Sequence, residues 1–275
     1  MSATPGGSTP GYRKSGKDDE MELATLFKQY LEHLFAGRRA EAREVIFDAH
    51  DRGETATRLL RSIIWPAMEQ VEKLHRNGHI NTLTEHMATR INRMIADQLH
   101  LFLAREPKHG KRMVVINGEG EIHELGAQIM SDIFEAQGWH VVFLGSNVPA
   151  DEILQLLGKE EPDVLAVYGA VAGEVPQLRH LIELIREVGI CPDMQVLVAG
   201  GVFNRAEGLH EEIKADLYAR SITEAVVTIE EHPIRVPAPD VPQPGRRRKR
   251  RRRKPSLRIA ELKESLGLED PLEKQ

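Results

Sequence analysis

The chain has a single cysteine, Cys191, among its 275 residues. One thiol excludes an intramolecular disulfide framework and is typical of a reducing compartment. The sequence also lacks a run of roughly 18 to 20 apolar residues, the length needed to span a bilayer, and its N-terminus lacks the apolar core of a signal peptide. We therefore expect a cytoplasmic protein that does not use a membrane.

Basic charge is concentrated near one end of the chain. The formal net charge is −5, although the nine consecutive residues from Arg246 to Lys254 are all basic. The rest of the chain is therefore acidic, and the charge is polarised. A basic run binds polyanions by releasing their counterions. It predicts contact with nucleic acid that is nearly independent of sequence, the alternative being a solvated tail without a partner.

Composition divides the chain into four segments. The first is poor in apolar residues, which predicts disorder, and the last begins with five prolines among thirteen residues, which predicts an extended linker. The two middle segments have enough apolar residues for a core. The predicted boundaries are 1–19 for a disordered arm, 20–104 for a helical domain, 111–231 for an α/β domain, and 232–275 for the linker and basic tail.

The first middle segment carries apolar residues at helical spacing, interrupted by glycines. This pattern predicts four helices, at about 20–36, 38–51, 54–76 and 80–104. Each has one apolar stripe, so a four-helix bundle with a shared core is expected. Pro66 lies within the third helix and is expected to kink it.

The second middle segment alternates continuous apolar runs with helical stretches, which predicts a parallel sheet covered on both faces. The five runs suggest a flavodoxin-like (Rossmann-like) strand order 2-1-3-4-5, with a ligand at the carboxyl ends of the strands. The predicted strands are 113–116, 141–144, 164–167, 196–199 and 215–219.

Small residues follow three of these strands. The first strand continues into a glycine-rich loop that ends at Gly126, where a bulky group can approach the start of the next helix. Gly169 follows the third strand, and Gly200 and Gly201 follow the fourth. Because these ends meet at one edge of the sheet, they predict space for a wide, flat ligand.

The spacing of these residues resembles that of the cobalamin-binding family, which includes methionine synthase, corrinoid methyl carriers, mutases and light-responsive regulators. The family pattern is Asp-x-His-x-x-Gly, then Ser-x-Leu, then Gly-Gly. This chain has Glu121-x-His123-x-x-Gly126, a gap of 42 residues, Gly169-x-Val171, a gap of 28 residues, then Gly200-Gly201. The cofactor implied is cobalamin, with its adenosyl, methyl or hydroxo form left open.

The resemblance implies that His123 replaces the dimethylbenzimidazole as the lower ligand of cobalt, with Glu121 orienting its second ring nitrogen. It also implies that the displaced nucleotide tail enters a slot lined by Gly169, Val171, Gly200 and Gly201. The chain departs from the pattern twice. Glutamate stands in place of the usual aspartate at Glu121, and Gly169 lacks the serine hydroxyl.

The helical segment resembles the cap that covers the upper face of the corrin in the same family. In the light-responsive regulators a tryptophan followed by Glu-His contacts the upper ligand. Here Glu85 and His86 are retained at that spacing, but His75 stands where the tryptophan would be. An imidazole can itself approach cobalt, so His75 is a candidate upper ligand. The alternatives are a surface histidine and, more remotely, a zinc site with His79 and His86.

The resemblance leads to three functional readings. The first is a cobalamin sensor or regulator, plausibly a light-responsive photoreceptor, that signals through a protein partner or the basic tail. The second is a corrinoid protein that carries methyl groups between methyltransferase subunits. The third is a scaffold that has lost its cofactor. Catalysis by this chain alone is not expected, because no acid, base and nucleophile are grouped in the sequence, and self-association is left open.

Overall fold

The N-terminal half of the chain folds into a helical bundle. The computed structural model describes residues 16–118 and 124–236, with side chains from residue 20. A π-helical turn, Leu60–Ile64, joins α3 to α4, so that these pieces together form the third predicted helix. The four predicted helices are therefore confirmed as α1 Gly16–Phe35, α2 Arg39–Asp51, α3 Ala56–Leu59 with α4 Trp65–Arg76, and α5 Thr82–His100.

The π-helical turn lies next to Pro66. The amide of Trp65 donates to the carbonyl of Leu60, five residues back. Proline has no amide hydrogen, so the helical hydrogen bonds cannot run through it unchanged. The side-chain amide of Asn92 on α5 donates to the carbonyl oxygen of Ile64 at 3.0 Å, and the Tyr30 hydroxyl donates to Asn92 Oδ1 at 2.7 Å. A buried polar chain thus links α1, α5 and the turn.

The C-terminal half is a five-stranded sheet in the order β2-β1-β3-β4-β5 with every pair parallel, as predicted. Helices cover both faces because each crossover between parallel strands returns over the sheet. The strands are β1 Arg112–Asn117, β2 His140–Gly145, β3 Val164–Tyr168, β4 Gln195–Ala199 and β5 Leu217–Ala219. The helices are α6 Leu125–Ala136, α7 Ala150–Glu160, α8 Val175–Val188, α9 Gly201–Arg205, α10 Leu209–Glu212 and α11 Ile222–Glu231.

Alternate strand residues enter two different cores. Val115, Ala166 and Leu197 pack toward α6, α11 and the bundle, in one continuous cluster of buried side chains. Their neighbours Val114 and Leu165 face a second cluster formed with α7 and α8. Side chains in a strand point alternately to the two faces. The bundle is therefore packed against one face of the α/β half and against the edge where the strands end.

The ends of the described chain correct one boundary. The predicted disordered arm extended to residue 19, but α1 begins at Gly16. Residues 1–15 and 237–275, which include the basic run, lie outside the described residues. Within residues 16–118 and 124–236, no helix combines the length and hydropathy needed to cross a membrane.

Candidate functional site beneath the helical bundle

The loops after β1, β3 and β4 meet at the carboxyl edge of the sheet, beneath α4 of the bundle. The segment 119–123 in the first of these loops lies outside the described residues. It contains both Glu121 and His123, so the role of His123 as a cobalt ligand and that of Glu121 in orienting it stay predictions. The structure does define the two residues that flank the segment, Gly118 and Glu124.

Glu124 connects this loop to its neighbours. Its Oε1 atom accepts hydrogen bonds from the Ser146 amide at 2.8 Å and the Ser146 hydroxyl at 2.6 Å, in the loop after β2. Its Oε2 atom lies 3.5 Å from Arg93 Nη2 on α5 of the bundle. The carboxylate of Glu124, directly before α6, therefore contacts both the loop after β2 and the bundle.

Glu174 lies beside Gly118, the last described residue before that segment. It is only 2% exposed, and its Oε2 atom accepts hydrogen bonds from the amides of Ala170 at 3.0 Å and Val171 at 3.4 Å. A Cβ atom on Gly118 would come within 2.3 Å of the same oxygen. Glu174 therefore orders the loop after β3 and packs directly against the residue that enters the predicted ligand loop.

The predicted space at Gly126 is filled by a side chain of the protein. A Cβ atom at this position would lie 2.3 Å from Cζ of Tyr168, the last residue of β3. Tyr168 is 2% exposed, and its ring makes an edge-to-face contact with Trp65 of α4, with centroids 5.7 Å apart. The bulky group that approaches Gly126 in this structure is therefore Tyr168.

The three glycines predicted to line the tail slot also contact protein atoms. A Cβ on Gly200, whose φ is +109°, would lie 2.3 Å from the carbonyl oxygen of Gly169. At Gly169 a Cβ would lie 2.9 Å from the Phe203 ring, and at Gly201 it would meet Glu72 and Arg205. These glycines let the β3 and β4 loops pack closely. The tail slot, which includes the partly buried Val171, stays a prediction.

Polar contacts attach α4 to the sheet edge. Arg205 Nη1 lies 2.8 Å from Glu72 Oε1, while Arg205 Nη2 donates to the Ala170 carbonyl at 2.6 Å. Asn204 Nδ2 donates to Glu69 Oε1 at 3.4 Å. Burial raises the pKa of Glu69, and the neighbouring Glu72 adds to the rise. One ion pair and one long hydrogen bond thus join α4 of the bundle to α9 at the carboxyl edge.

The histidines of the bundle are not arranged around a common point. Both ring nitrogens of His75 are engaged, Nδ1 with Glu85 Oε1 at 3.0 Å and Nε2 with Thr82 Oγ1 at 3.3 Å. Glu85 is 6% exposed and faces the sheet edge, whereas His79 and His86 are exposed. Among the described residues no group of three His, Cys, Asp or Glu side chains could hold a metal ion, so the zinc alternative has no support.

Little open space remains between the bundle and the sheet. The gap beneath α4 has a volume of about 20 Å³ and is lined by Met68, Val71, Glu72, Glu85, Thr89, Tyr168 and Ala170. This is room for about one water molecule. A cavity of about 510 Å³ opens at the same edge on the opposite face of the sheet, between the ends of β1 and β2 and helix α8, and Gly118 lines it.

Two models of the same description match consecutive parts of the chain. The model of the B12 binding domain that covers residues 111–227 corresponds to the sheet half, and a second B12 binding domain model covers residues 26–100 of the bundle. This chain belongs to the B12-binding family. Cobalamin is accordingly its cofactor, and the predicted fold and cofactor are both confirmed.

Several members of the B12-binding family are similar to this chain. Dimethylamine corrinoid protein 3 of Methanosarcina acetivorans is 28% identical over 171 residues, which are 60% of this chain and 76% of that protein. The methanol–corrinoid protein of Methanosarcina barkeri is 29% identical over 127 residues, 44% of this chain and 48% of that protein. The solved monomethylamine corrinoid protein of M. barkeri has a TM-score of 0.65 at 18% identity, covering 74% of this chain and 96% of that one.

These relatives overturn the first functional reading. We expected a cobalamin sensor related to the light-responsive regulators, but the similar proteins are corrinoid proteins for dimethylamine, monomethylamine and methanol. The reading as a light-responsive regulator is therefore wrong. It placed weight on the glutamate of Glu121 and on the Glu85–His86 pair. Two short sequence features could not outweigh similarity that extends over both halves of the chain.

The family membership and the observed arrangement disagree on one point. The gap of about 20 Å³ that the described residues leave beneath α4 is too small for a corrin ring. The side chains that close the site include Trp65, Tyr168 and Arg205, none of which the sequence analysis identified. Tyr168 had a detectable signal, because it is the one large residue directly before the small residues that follow β3.

Proposed function

We propose that this chain is a corrinoid protein that carries a methyl group between the components of a methyltransferase system. The observation that carries the proposal is its similarity, over 171 residues that include both halves, to a dimethylamine corrinoid protein. Other dimethylamine corrinoid proteins from two further Methanosarcina species match over about 120 residues at the same level of identity. A carrier of this kind needs a protein partner on each side of the transfer.

Within this proposal, His123 would hold the cobalt of bound cobalamin and Glu121 would orient the ring of His123. When bound, cobalamin would supply the cobalt ion that carries the methyl group. The contribution of the described residues is to position the ligand loop. Glu124 ties its C-terminal side to Ser146 and Arg93, and Glu174 packs against its N-terminal side at Gly118. Fixing the residues that flank a metal ligand lowers the entropy lost when the ligand binds.

The uptake of a labelled methyl group tests the proposal. The purified full chain is loaded with hydroxocobalamin, reduced, exposed to isotopically labelled iodomethane and desalted, with free hydroxocobalamin treated identically. We expect the protein-bound cofactor to take up about as much methyl label per cobalt as the free cofactor does. The reason is that a carrier must leave the reactive face of cobalt accessible. Bound cobalamin that takes up no label, beside a free cofactor that does, would contradict methyl carriage.

The lower ligand is tested separately with His123→Ala. If His123 ligates cobalt, this substitution shifts the spectrum of bound cobalamin to that of a cofactor without a histidine ligand and weakens its retention on desalting. His79→Ala is the matched control, since His79 is an exposed histidine elsewhere in the chain. An identical spectrum and retention in the wild type and His123→Ala would remove His123 from the site.

We also propose a role in nucleic-acid binding for the residues from Arg246 to Lys254. The supporting observation is the run of nine adjacent cations on an otherwise acidic chain. Binding should weaken steeply with salt and be nearly equal on unrelated duplexes, because phosphates are the contacted groups. A salt titration compares the full chain with a version that ends at Gly245. Equal, weak binding by the two would refute this role.

A further inference from the structure

We propose that Tyr168 controls the loading of the corrinoid, because its ring occupies space beneath the bundle that the cofactor must take. The inference deepens the proposed function, but it rests only on the binding of a corrinoid and not on methyl carriage. Corrinoid binding and methyl uptake are separate measurements, so the failure of one can be distinguished from the failure of the other.

The position of the ring follows from the close approach of β3 and α6. A Cβ on Gly126 would lie 2.3 Å from Cζ, 2.5 Å from the hydroxyl and 2.6 Å from Cε2 of Tyr168. The absence of a Cβ atom at Gly126 therefore leaves room for the ring of Tyr168 against α6. Trp65 of α4 contacts the ring edge-to-face, with an interplanar angle of 87°. The ring thus fills the space between α6 and the bundle.

The side chain of Tyr168 is buried and uncharged. The side chain is 2% exposed, and burial raises the pKa of its hydroxyl, with Glu72, Glu69 and Glu174 adding to the rise. The hydroxyl is therefore neutral at any physiological pH. No charged interaction of Tyr168 has to be broken when the ring leaves its site. The cost of moving it is that of exposing its apolar surface and that of Trp65.

The other contacts between α4 and the sheet edge are weaker. Arg205 is about one-third exposed in its pair with Glu72, and an exposed ion pair of this kind changes an equilibrium by less than about tenfold. The Asn204–Glu69 hydrogen bond is long, at 3.4 Å. Exposing a buried aromatic ring costs on the order of 10- to 100-fold. Of these three contacts, the burial of the Tyr168 ring is therefore the one that costs most to break.

The experiment measures hydroxocobalamin binding by the purified full chain, by three variants of Tyr168 and by one control variant. Tyr168→Ala and Tyr168→Leu both remove the ring, and the Leu variant keeps an apolar side chain in the core. Tyr168→Phe keeps the ring and removes only the hydroxyl. Phe102→Ala is the control for ring removal away from the site, because Phe102 is 52% exposed and contacts Phe47 and His50 within the bundle. Circular dichroism checks that each variant is folded.

We expect Tyr168→Ala and Tyr168→Leu to bind hydroxocobalamin on the order of 10- to 100-fold more tightly and faster than the wild type. Tyr168→Phe and Phe102→Ala should behave like the wild type. If Tyr168→Ala does not fold, the Leu variant decides. The proposal is overturned if both ring-removing variants load at the wild-type rate and affinity, if Phe102→Ala gives the same gain, or if no variant binds the cofactor.

The fluorescence of Trp65 gives a second readout. The edge-to-face contact with Trp65 is lost if the Tyr168 ring moves away, so corrinoid loading should quench or shift tryptophan emission. Trp139, the other tryptophan, packs against Phe134 and His109 away from this edge, and Trp139→Phe isolates the Trp65 signal. The emission of Trp139→Phe is corrected for absorption by the corrin. If it stays constant while cobalamin binds, the contact between Trp65 and Tyr168 is not opened.

Discussion

The contact between Gly126 and Tyr168 can be tested without any cofactor. Gly126 is the second residue of α6 and has an ordinary helical backbone, so alanine introduces no backbone strain there. The added methyl group would lie 2.3 Å from a ring carbon of Tyr168. Because the ring is enclosed by α6 and by Trp65, it cannot move aside without disturbing the packing of the bundle on the sheet.

The magnitude follows from two opposing effects. Adding a methyl group to a closely packed core costs about 1 to 3 kcal/mol. Replacing glycine by alanine in a helix gains up to about 1 kcal/mol. We therefore expect Gly126→Ala to lower the free energy of unfolding by about 1 to 2 kcal/mol. In combination with Tyr168→Ala the clash is absent, so the same glycine substitution should be neutral or stabilising.

The assay is urea unfolding followed by far-UV circular dichroism, applied to the wild type, the two single variants and the double variant. A coupling free energy of about 1 kcal/mol or more is expected from the double-mutant cycle. Gly173→Ala is the control, because no atom lies within 4 Å of a Cβ at Gly173 and its backbone also needs no glycine.

Additive effects of the two single substitutions would refute the reasoning, as would equal stabilities of Gly126→Ala and Gly173→Ala. Either result would mean that the ring of Tyr168 does not rest on Gly126 in solution. The proposal for corrinoid loading would then lose its geometric basis.

Two further predictions concern Asp132 on α6 and His75 on α4. Burial raises the pKa of Asp132 to about 6 although His100 lowers it, so the folded chain binds this proton more tightly than the unfolded chain does. The resulting stability is present below the ordinary Asp pKa and is lost as pH rises through about 6. In urea unfolding, the free energy of unfolding of the wild type should fall by about 1 to 2 kcal/mol relative to that of Asp132→Asn between pH 4 and pH 7. Equal pH dependence of the two free energies would contradict this assignment. His75→Ala should leave the spectrum of bound cobalamin unchanged, because both ring nitrogens of His75 bond within the bundle; a spectral shift would instead identify His75 as an upper ligand.

Periodicity predicted most of the fold. Four helical stretches and five apolar runs correspond to the bundle and to the strands, since one-faced helices and doubly covered strands carry different hydrophobic patterns. The strand order also followed, because right-handed crossovers allow few arrangements of a short parallel sheet. The prediction missed the form of the kink near Pro66, which is a π-helical turn supported by Asn92 from another helix.

The function was harder to predict than the cofactor. The spacing around His123 resembles that of the cobalamin-binding family, and the two B12 binding domain models confirm the cofactor that this resemblance implied. Sensors and methyl carriers share that pattern, and short features such as Glu85–His86 were given too much weight. Similarity over 171 residues distinguished the two classes where a few positions did not.

The chain's own sequence determined its secondary structure and its strand order, which depend on patterns within short stretches, and its resemblance to a known family indicated the cofactor. What occupies the small positions was decided by tertiary structure alone. Gly126, Gly169, Gly200 and Gly201 suggested space for a ligand, yet each one accommodates atoms of the protein itself. A glycine in the sequence indicates that another group lies close to the backbone there. Only the packing of β3, α6 and the bundle determines that the group close to Gly126 is the ring of Tyr168.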